Sequence, residues 1–124
     1  MAATLTILIY IATIGVAVAK AAPRWPTSRP ALLWHPDPHW LHDALCIHNH
    51  ESVNWHRAGI DWKGNPSPYY GGLQFLISTW RTAGGTRLPS DWSPREQLYR
   101  AWRIWSADNG SWHEWGTAKA CGLR

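Results

Sequence analysis

PHWLHDALCIHNHES, residues 38–52, is the stretch whose reading decides the fold. Placed at 100° per residue, Trp40, Ala44, Ile47 and Glu51 fall on one side of a helix, and Leu41, Leu45 and His48 widen that side. His42, Asp43, Cys46, Asn49 and His50 take the opposite side. The pattern predicts a helix from Pro38, a good first helical residue, to about Ser52. It also sets a carboxylate, Glu51, at the end of an apolar stripe. Burial disfavours an ionised carboxyl group and raises its pKa, which is what a general acid needs. A helix-end Glu that swings into water satisfies the same pattern, so the helix alone leaves both readings open.

Downstream of Glu51 the punctuation changes. Gly59, Gly64, Pro66, Pro68, Gly71 and Gly72 predict loop over residues 53–72, with at most a small irregular hairpin near Tyr69 and Tyr70. A second helix is predicted over Leu73–Ala83, stopped by Gly84 and Gly85. A third starts after Ser93, where Ser93 and Glu96 form a capping box and Pro94 takes the first helical position. Leu98, Ala101, Trp102 and Trp105 repeat as one buried face, and Asn109-Gly110 ends that helix. Ser111 and Glu114 repeat the capping spacing before a short last helix or turn. The fold class is therefore mostly α, with α+β character only through a minimal hairpin. A long loop directly after Glu51 suits a functional role.

Upstream, Leu5–Ala19 is an apolar run broken by Thr6, Thr13 and Gly15 and followed by two A-x-A patterns, at Ala17–Ala19 and Ala19–Ala21. The run is shorter than the roughly 20 residues of a membrane span. Residues 1–21 read as a signal peptide or, uncleaved, as an N-terminal anchor. Both place the rest outside the cytoplasm, secreted or at the cell wall. Residues 22–37, with Pro23, Pro26, Pro30 and Pro36, read as a Pro-rich linker, and 38–124 as the domain. Cys46 and Cys121 are the only cysteines, so an exported chain pairs them into a disulfide staple worth roughly 4 kcal/mol for so long a loop.

The net charge of +4 comes without a basic run, which argues against nucleic acid and suits a polyanionic wall. Eleven tryptophans are divided between core and sugar-stacking roles, with core the commoner fate. His35, His39, His42, His48, His50 and His56 crowd into one stretch, but Pro36 and Pro38 interrupt it and the spacing matches no zinc signature, so no metal and no cofactor are expected.

Three strings now line up: Cys46 to Trp55 around Glu51-Ser52-Val53-Asn54-Trp55; Tyr69-Tyr70-Gly71-Gly72-Leu73-Gln74-Phe75 with Thr79-Trp80; and Ser93 to Gln97 with Trp112 through Cys121. Together they resemble the resuscitation-promoting-factor and transglycosylase-like family of actinobacterial wall enzymes over about residues 38–122. The resemblance implies a small, disulfide-stapled, lysozyme-like domain that cleaves peptidoglycan glycan strands as a monomer. It implies Glu51 as the catalytic acid and a substrate cleft lined by Gln74, Thr79, Tyr69 and Tyr70, with Asn54 and Trp55 shaping the wall behind the acid. Gln74 also suits a role tying the loop to the second helix, and Thr79 an ordinary helix surface. Asp61 is the nearest second carboxylate, but a loop Asp is usually a turn former. Two departures stand out. The first Cys precedes the Glu by five positions, where commoner members place a Cys immediately before it, and the loop from Trp55 to Tyr69 is longer and contains Trp62. A wall-binding or resuscitation-signalling module with little turnover is the alternative function.

Overall fold

A computed structural model describes residues 25–124, so the signal or anchor call over 1–21 lies outside the described residues. In chain order the elements are α1 (Arg29–Leu33), α2 (Pro38–Glu51), β1 (Ala58–Ile60), β2 (Pro66–Tyr70), β3 (Phe75–Leu76), α3 (Ile77–Thr82), a 3-10 turn (Pro89–Asp91), α4 (Pro94–Ala107) and a C-terminal 3-10 helix (Gly116–Cys121). No described helix is long and apolar enough to cross a membrane. The fold is the expected mostly helical, disulfide-stapled domain, with a small antiparallel sheet in the order β1-β2-β3.

The first long helix forms where the pattern predicts it. The Asp37 carboxylate accepts from the amides of His39 and Trp40 at 2.9 and 3.1 Å, which satisfies two of the donors a helix start leaves free. Ser52 closes the other end through its amide to the His48 carbonyl at 2.9 Å. Trp40, Ala44, Ile47 and His48 are buried, whereas Leu45, placed on the apolar side by the sequence, is exposed.

Residues 53–72 are more ordered than a loop. Their glycines and prolines shape a hairpin, in which Ala58 pairs with Tyr70 and Ile60 with Pro66. The predicted helix over Leu73–Ala83 is shortened to α3, because Tyr69 and Tyr70 pair with Leu76 and Phe75 and draw those two residues into a third strand. Gly71 has φ +82° and Gln74 φ +50°, so the connecting turn leaves the helical region at both ends.

The expected linker is in part a strap. Ala31 and Trp34 are buried, the Ser93 amide donates to the Pro26 carbonyl, and Arg95 Nε donates to the Ala31 carbonyl at 2.7 Å. Residues 26–34 thus pack against α4, ahead of Asp37. The Ser93–Glu96 capping box forms only by half: Ser93 Oγ accepts from the Glu96 amide at 3.2 Å, but the Glu96 carboxylate turns to Ser28 and Arg100 instead. Ser111 caps no helix; its hydroxyl accepts from the His113 amide, and the last helix starts after Trp115.

Tryptophan fills the core. Trp34, Trp40, Trp80, Trp112 and Trp115 are buried, and the rings run in a chain: Trp40 on Trp112 at 5.4 Å, Trp112 on Trp115 at 5.6 Å, Trp115 on Phe75 at 6.1 Å and Phe75 on Trp80 at 5.1 Å. Such pairs add about 0.5–1.5 kcal/mol each beyond area burial. Only Trp25 and Trp62 stand largely exposed among the described tryptophans.

Candidate active site

Glu51 is the last residue of α2, half-buried where the apolar stripe runs out. Its partner comes from the far end of the chain. Thr117 Oγ1, on the C-terminal 3-10 helix, donates to Glu51 Oε1 at 2.7 Å. The Cys46–Cys121 disulfide ties that helix to α2, with a Cα–Cα distance of 6.0 Å. The pairing inferred from cysteine count therefore also fixes the neighbour of the candidate acid. Oε2 has no hydrogen-bond partner among the described residues.

Burial pushes the Glu51 pKa above the ordinary carboxylate value; the Thr117 hydrogen bond and the nearby His50 pull partly the other way. His50 is exposed, with Nδ1 at 2.9 Å from the Cys46 carbonyl, so its ring is held one turn back along α2. His48 lies behind the site. Its Nδ1 donates to the Gly72 carbonyl at 2.8 Å, and its ring stacks on Trp55 at 3.8 Å. Burial lowers its pKa, with the Gly72 bond opposing, so the neutral imidazole, its Nδ1 proton on the carbonyl, is favoured.

The Gly71-Gly72 turn explains its own residues. A Cβ on Gly71 would lie 2.4 Å from Gln97 Oε1, and one on Gly72 would lie 2.3 Å from the Trp55 ring. Gln97 is fully buried and spends all its polar atoms here: Oε1 accepts from the Gly72 amide, and Nε2 donates to the carbonyls of Trp55 and Trp92. One side chain of α4 thus clamps the glycine turn to the segment after Glu51.

The predicted substrate residues divide. Tyr69, Gln74 and Thr79 come together around a cavity of about 100 Å³ that Glu114 and Trp115 also line. The Gln74 amide is engaged in its own turn, Nε2 donating to the Gly71 carbonyl at 2.7 Å. Tyr70 is not in that cavity; its ring covers Gly59 of β1. Asn54 Oδ1 accepts from the His56 amide at 2.9 Å and Trp55 packs on His48, so both serve the framework beside Glu51. Glu51 itself lines none of the three described cavities. Asp61 acts as the turn former, accepting from the amides of Lys63 and Asn65 at 2.9 Å each at the hairpin tip.

Thr117 and Glu114 escaped sequence reasoning. Thr117 lies 66 positions from its partner and carries no local pattern; Glu114 reads as a capping residue but faces the cleft. The crowded histidines scatter: His35, His39, His42 and His50 are exposed, His48 is buried, and His56 bonds the Ser90 carbonyl under the Trp25 ring. Among the described residues, Asp108, His113 and Glu114 bring three possible ligand atoms within 4.8 Å of one another; Cys46, His50 and Cys121 do the same, but with both sulfurs bound in the disulfide.

A half-buried acid at a helix end, with one carboxylate oxygen held by a hydroxyl, is an arrangement able to protonate a bound group. No match was found among curated proteins or among solved structures. A family model described as a transglycosylase-like domain matches residues 48–118, a span that includes Glu51, the glycine turn and Thr117. That span is more than half of the 124 residues, and the chain belongs to the transglycosylase-like domain family.

Proposed function

We propose that this chain is an exported muralytic enzyme that cleaves the β-1,4 bond between N-acetylmuramic acid and N-acetylglucosamine in peptidoglycan, with Glu51 as general acid. Family membership supports peptidoglycan cleavage in general, of the lytic-transglycosylase or glycosidase type. The observation that carries the finer reading is Glu51 itself: half-buried, raised in pKa, one oxygen held by Thr117 and the other free. The Tyr69–Phe75 string and the Glu51–Trp55 string support the resuscitation-promoting-factor branch of such enzymes. The Leu5–Ala19 run and the disulfide support action at the wall, outside the cytoplasm.

The protonated Glu51 gives its proton to the glycosidic oxygen as the C1–O bond breaks, and an oxocarbenium-like centre develops at C1. Asp61, the nearest carboxylate along the chain after Glu51, is occupied in its own turn, and the substrate is taken to supply its own nucleophile. The Glu51 carboxylate then takes the proton of the substrate's own 6-hydroxyl as that oxygen bonds C1. The product ends in a 1,6-anhydro sugar and Glu51 is protonated again. Release of soluble muropeptides from purified walls tests the reading. Glu51→Gln should abolish release while binding to insoluble wall persists, and the wild-type product should be lighter by one water than a hydrolysed one. Undiminished release by the variant overturns the role of Glu51. The alternative is a glycan-binding module with little turnover; wild-type binding without any release would establish it.

A further inference from the structure

We propose that the cavity between α3 and α4 is a second binding site, for a zwitterionic amino-acid residue of the peptide that the wall glycan carries. The inference rests on the glycan-cleaving reading and names a further part of that substrate.

The cavity measures about 290 Å³, and its walls include Ser78, Thr79, Arg103, Ile104, Asp108 and Glu114. It adjoins the smaller cleft of Tyr69 and Gln74, because Thr79 and Glu114 line both. The charges within it are divided by sign. Arg103 is exposed and makes no ion pair or side-chain hydrogen bond among the described residues. Asp108 and Glu114 supply two carboxylates, and Asp108 Oδ2 is buried with no hydrogen-bond partner. His113 Nε2 stands 3.6 Å from that oxygen and 3.5 Å from Glu114 Oε1, too far for a hydrogen bond to either. Ala83, Ile104 and Ala107 give the cavity an apolar part.

Ligand chemistry follows from that division. A simple anion would meet two carboxylates, and a simple cation would meet Arg103. A neutral sugar would hydrogen-bond to these groups but neutralise none of them. A residue with both an ammonium and a carboxylate answers each: the carboxylate to the guanidinium fork, the ammonium to Asp108 and Glu114. Wall peptides that contain a diamino acid end in such a pair of groups. The site would make cleavage depend on the peptide as well as on the sugar, without touching the reacting atoms.

Two measurements on the purified full chain test it. In the first, a synthetic stem peptide ending in a diamino acid is titrated and amide shifts are followed by NMR. Shifts at Thr79 and along Arg103–Asp108, lost in Arg103→Ala and Asp108→Asn, are expected; no shift there overturns the site. Shifts caused by zinc ions but not by the peptide would assign the Asp108–His113–Glu114 rim to a metal and overturn it equally. In the second, glycan strands are compared with strands stripped of peptide by an amidase. The wild type should prefer the peptide-bearing strands by about tenfold in kcat/KM, the equivalent of one well-made charged contact. Arg103→Ala should remove that preference and leave the stripped strands cleaved at the wild-type rate. Equal kcat/KM on both strands, or an equal loss on both in the variant, overturns the inference. Peptide binding without strand cleavage would keep this site and reject the enzymatic reading; cleavage without discrimination would do the reverse.

Discussion

At the scale of single residues the proposed chemistry rests on Glu51 and its hydrogen-bond partner Thr117. The Thr117 hydroxyl donates to Glu51 and so favours the ionised carboxylate, against the larger effect of burial. Thr117→Val keeps the shape and deletes the donor. The Glu51 pKa should then rise further, and the fall of kcat/KM with rising pH should move to higher pH; an unmoved limb would show that Thr117 does not govern the acid. The raised pKa also has a consequence for stability. A carboxyl group whose folded-state pKa exceeds its unfolded value binds extra proton on folding, so stability is lost as pH rises through the interval between the two. Glu51→Gln escapes that loss. Its Tm should exceed the wild-type value at neutral pH, and the gap should close below the ordinary Glu pKa. Scanning calorimetry across pH measures this, and a gap independent of pH would contradict it.

Among the elements, α4 holds the rest together. Its Glu96 accepts from the Ser28 amide and hydroxyl at 2.8 and 2.6 Å and pairs with Arg100 at 2.8 Å, while Arg100 also donates to the Ala83 carbonyl that ends α3. A local capping box was legible from Ser93 and Glu96, yet the carboxylate is recruited by a strap 68 positions away. Local spacing cannot foresee that competition, because it is decided by which donors burial leaves without water. Glu96→Ala leaves Arg100 buried without its carboxylate and frees the strap. Denaturant unfolding should register a loss of about 3–5 kcal/mol, the usual cost of breaking a buried pair from one side. The same limit explains α3. Leu73–Leu76 satisfies a helical pattern, but pairing of Phe75 and Leu76 with β2 supplies long-range hydrogen bonds that the pattern does not contain.

Over the whole molecule the staple joins the two ends of the argument. Cys46 and Cys121 are 75 positions apart, and closing a loop of that length is worth about 4 kcal/mol in the chain-entropy model. The double replacement Cys46→Ser, Cys121→Ser should lower unfolding free energy by up to that amount, read from urea denaturation. It should also move the pH limb of activity upward as Thr117→Val does, because the 3-10 helix carrying Thr117 is no longer tied to α2. Loss of stability with an unchanged limb would separate the staple from the acid.

Sequence alone determined α2 and α4, the placing of Glu51 at the end of an apolar face and the cysteine pair. These follow from short-range rules: 3.6-residue periodicity, caps, and residues whose backbone freedom is needed locally. Tertiary structure alone decided what those pieces meet. It brought Thr117 to Glu51, Gln97 to the glycine turn, Glu96 to Ser28, and Tyr69, Gln74 and Thr79 to one cleft while leaving Tyr70 outside it. The physical reason is that such partners are distant in sequence. Most buried polar atoms are paired, and in a chain this short the partner is supplied by whichever distant segment packing brings near.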